Sequence, residues 1–423
     1  MIFLRFSPVV MRGKGRRGGR GGHIPQAFFR PSPGQKFIVT HSPFDLFKAS
    51  GSFQRAAPEA DETALTQALL KRNQELTPSS HEQAAMLNMV TKVTDIIDTL
   101  IVSPDATELG IEEVRPVGSY KKGTMLAGHP VADLAVILKK LPTTEHIQQV
   151  ADRILTGLNE PTLGLEDVAL QVNEGGFNLS SGGVVVRILI TTLPRNLREA
   201  KADTHVDVKL LEGALATIRH SRWFEENAFH TTVRILVRIL KDMKNRFNTT
   251  GLQGLTPWLI DLLAHRATVS ATNDPVTINI AFRRALQLLA SGLFLPGSVG
   301  IIDPCESGNV RAHSVLSLEE QDAIATSAQT LLRCLSHGAV KEVLGSVSEG
   351  VPTEAVDSDV TSWGGVIVTP GSKAYEKEEK PEGENMESEE SETPGETTGE
   401  TPEAKTPTAL EGEAEEKMET AAS

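Results

Sequence analysis

The sequence predicts an α+β body, a mixed sheet with helices that runs into an all-helical half, flanked by two disordered ends. Three observations carry this. Between residues 61 and 210, helical apolar spacing alternates with short apolar strand patterns. From 211 to 370 the apolar spacing is almost wholly helical. Residues 1–36 and 371–423 are too biased in composition to bury a core.

Residues 12–22 read Arg-Gly-Lys-Gly-Arg-Arg-Gly-Gly-Arg-Gly-Gly. In such a flexible basic arm, Arg12, Arg16, Arg17 and Arg20 are candidate nucleic-acid contacts, since guanidinium groups meet phosphates and stack on bases with little sequence preference. The plainer reading is a solubilising, methylation or localisation arm. Residues 37–60 form a connector that Phe37, Phe44, Phe47 and Phe53 pack onto the body. The body starts near Asp61. Leu65, Ala68 and Leu69 have helix spacing, and Leu87, Val90, Val93, Ile96 and Ile97 repeat it. Strands are expected at 132–138, 184–191 and 204–210, with a helix at 145–158 between the first two.

In the second half, Val233, Leu236, Val237 and Leu240 form one helical stripe, and Arg234, Arg238 and Lys241 share a basic edge. Pro257 suits the first turn of another helix. Further helices are expected at 279–293 and 317–336, the latter stopped by Gly338. A short apolar run, 363–368, precedes the Glu-Thr-Pro-Gly tail at 371–423.

Composition excludes several classes. No stretch of 18 apolar residues exists, so no transmembrane helix is expected. The apolar start, residues 1–6, runs into the Arg-Gly arm and lacks a small-residue cleavage site, so it does not read as a secretory signal; Met11 is an alternative start. Cys305 and Cys334 form no C-x-x-C pair, the histidines are scattered, and reduced thiols fit the nucleus or cytosol. The net charge of −13 hides an asymmetry: the first 36 residues carry only basic charge, while the last 53 are dominated by glutamate and the body is mildly acidic. Nucleic-acid contact at one end and a solvated or regulatory tail at the other follow from that pattern.

The chemistry centres on Val117-Gly118-Ser119-Tyr120 followed by Val131-Ala132-Asp133-Leu134-Ala135. A Gly-Ser turn can lay backbone N–H groups and a hydroxyl against phosphates. The strand after it can present carboxylates, and positions 133 and 135 share one face. Two carboxylates there plus a third nearby hold two magnesium ions in nucleotidyltransferases of the polymerase-beta type. Asp207, in Val206-Asp207-Val208, falls where the third is expected. Position 135, however, is alanine. Asp133 and Asp207 are therefore expected to hold one Mg2+ on a bound nucleoside triphosphate, with Gly118 and Ser119 at the phosphates. Without the second ion's ligand, turnover should fail. A P-loop is the rival reading of Gly118 to Gly123, but Thr124 stands where its lysine is needed.

Three long strings closely resemble proteins of the DZF-domain family: residues 117–125, residues 216–227 and residues 292–309. The resemblance extends over nearly the whole chain and implies a pseudo-nucleotidyltransferase body at 61–370, an α+β half at 61–210 and a helical half at 211–370. The helical half is also similar to 2′-5′-oligoadenylate synthetases. Leu236 to Lys241 matches a helix of theirs bearing a phosphate-contacting lysine, and Pro257 to Leu263 matches one that places an aromatic near the nucleotide. That similarity implies Lys241 at the triphosphate and Trp258 at the nucleoside. Trp258 replaces a tyrosine, and simple packing is its alternative role. The family resemblance implies an obligate partner, interleukin enhancer-binding factor 3 or a related DZF protein, joined through the helical half. Double-stranded RNA and DNA would be met mostly through that partner.

The expectation is thus a catalytically inactive nucleotide-binding scaffold acting in transcription and in RNA processing, stability or translation. Its expected place is the nucleus, including the nucleolus, with some in the cytoplasm. The alternatives are an active template-independent nucleotidyltransferase and a stand-alone RNA binder using the Arg-Gly arm.

Overall fold

The computed structural model describes residues 61–103, 110–165, 167–247, 251–269, 275–345, 356, 359–363 and 366–370. The basic arm with Arg12, Arg16, Arg17 and Arg20, the connector and the acidic tail lie outside the described residues.

Helix α1 (Thr63–Leu76) buries Leu65, Leu69 and Leu76 along one stripe. Helix α2 (Ser80–Val102) starts at a capping box in which the Ser79 hydroxyl accepts from the Glu82 N–H and the Glu82 carboxylate accepts from the Ser79 N–H. Its buried face is Met86, Met89, Val90, Val93 and Ile97. Leu87 belongs to a different face and is 58% exposed, because one residue turns the helix about 100°.

Five strands make one sheet in the order β1-β2-β5-β4-β3. They are β1 (Ile111–Val117), β2 (Val131–Leu138), β3 (Ala169–Asn173), β4 (Gly176–Ser181) and β5 (Val184–Thr192). β2 pairs antiparallel with β1 and parallel with β5. A parallel pair needs a long crossover. Helix α4 (Thr144–Leu158) and the β3–β4 hairpin supply it, while a single turn of helix, α3 (Gly118–Lys122), follows β1. β2 and β5 lie where their apolar runs predict. β1, β3 and β4 carry too many polar residues to announce themselves, and β1 and β3 are the sheet's edges.

The segment 204–210 is not a strand. Asp207 is instead the N-cap of helix α5 (Val208–Asn227), its carboxylate accepting from the Lys209 N–H at 2.9 Å. β5 already has β2 and β4 as neighbours, so no sheet edge is open to it there.

The helical half contains α6 (Thr231–Arg246), α7 (Pro257–Thr268), α8 (Ile278–Ala290), α9 (Leu318–Ser336) and α10 (Val340–Leu344). α6 buries residues around most of its circumference, including Val233, Ile235, Leu236, Ile239 and Met243, which makes it the central helix. Pro257 opens α7 and the Thr256 hydroxyl caps it. A second capping box, Ser317 with Glu320, opens α9. A small hairpin, β6 (Thr361–Trp363) and β7 (Val366–Val368), closes the order.

Two hydrophobic cores result. One joins α2 and α4 to the inner face of the sheet, through Val93, Ile97, Leu134, Val136, Ile154 and Ile188. The other fills the helical half around Leu236, Phe247, Leu263 and Phe282, and it takes in Leu65 and Leu69 of α1. Arg72 of α1 grips Asp242 of α6 with two nitrogens, at 2.9 and 3.2 Å, where both groups are buried.

Candidate functional site

The β1–β2 register sets Val117 opposite Asp133, so the turn after β1 arrives beside that carboxylate. Gly118 has φ of 65°, a left-handed conformation that favours glycine. A Cβ at this position would also collide with Asp133 Oδ2. The turn is then pinned from three sides. The Gly118 N–H donates to Ser221 Oγ of α5 at 3.1 Å, the Thr124 N–H donates to the Ser119 carbonyl at 2.9 Å, and Ser119 Oγ accepts from Lys241 Nζ at 2.7 Å. Of the Gly-Ser pair, Ser119 therefore faces the cleft, while the Gly118 N–H is engaged within the fold.

Lys241 projects from the basic edge of α6 and also reaches Thr124 Oγ1 and the Thr124 carbonyl, each at 3.2 Å. Burial pushes its pKa down to about 8, against the upward pull of Asp261 and Asp133. Arg238, one turn earlier, bonds Asn73 Oδ1 and the Gly123 carbonyl. The edge predicted from spacing thus holds the Gly-Ser turn in place.

Asp133 is paired. Arg187 is its register partner on β5 and reaches Oδ1 at 2.6 Å. Burial raises the Asp133 pKa, and Arg187 offsets only part of that. Ala135, two residues on, is wholly buried and offers no oxygen. Asp207 lies at the other end of β2. The Val206 N–H donates to the Pro142 carbonyl beyond the C-terminal end of that strand, whereas Asp133 is near its start, about five residues or roughly 16 Å away. Exposed at a helix cap, Asp207 does not line the cleft. Magnesium takes several oxygen ligands. One carboxylate committed to an arginine, an alanine and a distant aspartate do not fit the ion expected from the sequence.

The cleft has a volume of about 400 Å3. Its polar wall is Ser119, Thr124, His129, Asp133, Arg187, Lys241, Lys244 and Asn245; Met125, Leu126, Val131, Pro257 and Ile260 give an apolar side. This size and mixture suit a nucleotide-sized ligand. Trp258 is not part of the wall. Its ring stacks on His220 with centroids 3.8 Å apart, its Nε1 donates to Asp303 Oδ2 at 2.8 Å, and Trp223 meets it edge-on. The structure thus places Trp258 in packing, and its neighbours Pro257 and Ile260 face the cleft instead.

The side chains of His220, Asp303 and Cys305 converge, with ligand atoms within 4.8 Å of one another, although the sequence scatters them. Both Asp303 oxygens are already engaged, by Trp258 Nε1 and the Cys305 N–H. Burial brings the His220 pKa down to about 4 and raises that of the Cys305 thiol to about 11.

Arg187, Lys244 and the buried pair Lys122–Asp261 were missed by sequence reasoning. Arg187 left a signal, a lone charge inside Val184-Val185-Val186-Arg187-Ile188-Leu189. Lys244 continues the spacing of Arg238 and Lys241. Lys122 gave none. It leaves α3 to meet Asp261 of α7 at 2.5 Å, with its ammonium 5.6 Å from the Phe224 ring centre.

Residues 28–229 match the DZF N-terminal domain and residues 232–369 match the DZF C-terminal domain. Among solved structures, E. coli MS115-1 CdnC with ATP is 15% identical, with 69% of this chain and 98% of that one covered and a TM-score of 0.45. A cytoplasmic RNA terminal U-transferase is 12% identical, with 71% and 100% covered and a TM-score of 0.43. Cid1 in complex with its short product ApU is 12% identical, with 71% and 100% covered and a TM-score of 0.45.

Proposed function

Because the chain belongs to the DZF family, we propose that it is a catalytically inactive, nucleotide-binding scaffold that pairs with a second DZF protein. One observation carries the inactivity: Asp133 stands alone on its face of β2, with Ala135 following it and Arg187 bonded to it. In-line transfer with two metals needs a cluster of carboxylates. A cleft of about 400 Å3 with three basic side chains supports retained binding.

Within the family, the strings at 117–125, 216–227 and 292–309 support the interleukin enhancer-binding factor 2 type, the smaller subunit of a nuclear heterodimer. The partner on this reading is interleukin enhancer-binding factor 3 or a related protein, joined through the helical half. It would bring the double-stranded RNA-binding domains, and the pair would regulate transcription and RNA processing, stability or translation in the nucleus and nucleolus, with a cytoplasmic share. An acidic chain supports this division of labour, since affinity for duplexes rests on neutralised phosphates.

The test is nucleotide transfer to an RNA 3′ end by the purified full chain with magnesium and each nucleoside triphosphate. No extension above background is expected. Steady extension that Asp133→Ala abolishes would overturn the reading.

A further inference from the structure

The cleft wall carries two lysines, an arginine, His129 and a single acid, and the acid is already matched. Arg187 Nε and Nη2 both reach Asp133 Oδ1 at 2.6 Å, and Oδ2 packs against the Gly118 turn. A divalent ion would have to share a carboxylate that is only 13% exposed and already bound to a guanidinium. It would then meet a methyl group at Ala135 and, among the described residues, find no second carboxylate on the cleft wall. Magnesium demands near-ideal octahedral geometry and dehydrates reluctantly. Arginine stays charged at any relevant pH and matches phosphate oxygens with a planar fork.

The basic groups are also well placed for this. Lys241 is held against Ser119 and Thr124. Lys244 is three residues further along the same edge of α6. Arg187 is half exposed on the sheet side, free to turn one face of its fork to a ligand while keeping Asp133. Resting on the nucleotide-binding reading above, we infer that this chain binds the triphosphate of a nucleotide without a divalent metal. Arg187, Lys241 and Lys244 supply the positive charge that an ion would otherwise bring. Asp133 here positions Arg187 rather than coordinating metal.

Equilibrium binding of ATP and of inorganic triphosphate to the full chain tests this, once with excess EDTA and once with excess magnesium. The affinity in EDTA should be within about threefold of that in magnesium, or tighter, because the ion neutralises the very charge the cleft reads. Asp133→Asn removes the acid next to the phosphates and frees the arginine, so binding in EDTA should tighten by a few fold (on the order of a factor of three). Arg187→Ala should weaken binding in EDTA by about tenfold or more and leave it improved by magnesium, while Arg187→Lys keeps part of the affinity. Binding that needs magnesium and is lost in Asp133→Asn would overturn the inference and leave the scaffold reading standing. No binding of either probe under either condition would sink both together. If a variant's near-ultraviolet spectrum shows a lost fold, the wild-type comparison of EDTA with magnesium decides alone.

Discussion

Lys241 is where one side chain does most for the cleft, and its behaviour can be checked by pH. Its free-state pKa is about 8, below the ordinary 10.5, because burial disfavours the ammonium. Phosphates near it favour the charged form and raise that pKa in the complex. On the proposed nucleotide-binding reading, binding above pH 8 therefore takes up a proton, and affinity for ATP should fall as pH rises from about 7.5 to 9.5. Calorimetry in buffers of different ionisation enthalpy reads the proton uptake directly. Lys241→Met should weaken binding by about 2 kcal/mol, the scale of a charge-assisted hydrogen bond, and flatten the profile. An unchanged slope in that variant would place the titrating group elsewhere. Lys241 was legible in the sequence through a resemblance and through its spacing from Arg234 and Arg238. Asp133 was legible through its lone place in an apolar strand. Arg187 left a like signal but was missed, because only the register of β2 against β5 says which residue it faces, and register is a property of two distant segments.

Among elements, α3 is the piece that the two halves hold between them. It is one turn long, too short to be stable alone. Ser221 of α5, Lys241 of α6 and Asp261 of α7 fix it. The Lys122–Asp261 pair is the costliest of these interactions to break, since both side chains are under 10% exposed, Lys122 holds Asp261 Oδ2, and Oδ1 has no hydrogen-bond partner among the described residues. Lys122→Met leaves a buried carboxylate unpaired and should lower unfolding stability by about 3–5 kcal/mol. The double variant Lys122→Met with Asp261→Leu should recover most of that, as apolar replacement of a buried pair commonly does. Denaturant melts of the three proteins give the coupling; additive losses would show that the pair acts independently. No element-level sequence signal marks this latch, because charged residues at such positions usually face water. The strand expected at 204–210 failed for a related reason. Val206-Asp207-Val208 alternates like a strand, but Asp207 is also a good helix cap, and only the sheet's lack of a free place beside β5 decides between them.

At the scale of the molecule, the arrangement of charge supports the proposed reading of a subunit that does not hold duplexes by itself. The chain carries −13 overall, and its one strongly basic segment is the Arg-Gly arm before residue 37. The helical cores and the sheet were legible as fold class because long periodic segments dominate them. The edge strands β1 and β3 were not, since one side of each meets water and their patterns are mixed. On the proposed pairing with a second DZF protein, if the arm were the RNA-binding device, removing residues 1–36 would abolish binding of that heterodimer to double-stranded RNA. If the partner meets most of the phosphates, deletion should weaken the complex's affinity by less than about tenfold. Each phosphate that the arm neutralises in the intact complex should make the plot of log affinity against log salt shallower by about 0.9 after deletion. Titrations of full-length and truncated chain in the complex, at several salt concentrations, separate these outcomes. The slope is the decisive readout, because it counts phosphates met by the arm even where the change in affinity at one salt concentration is small. A slope that stays the same after deletion means the four arginines Arg12, Arg16, Arg17 and Arg20 serve something other than the duplex. Total loss of binding means the arm, and not the partner, carries recognition.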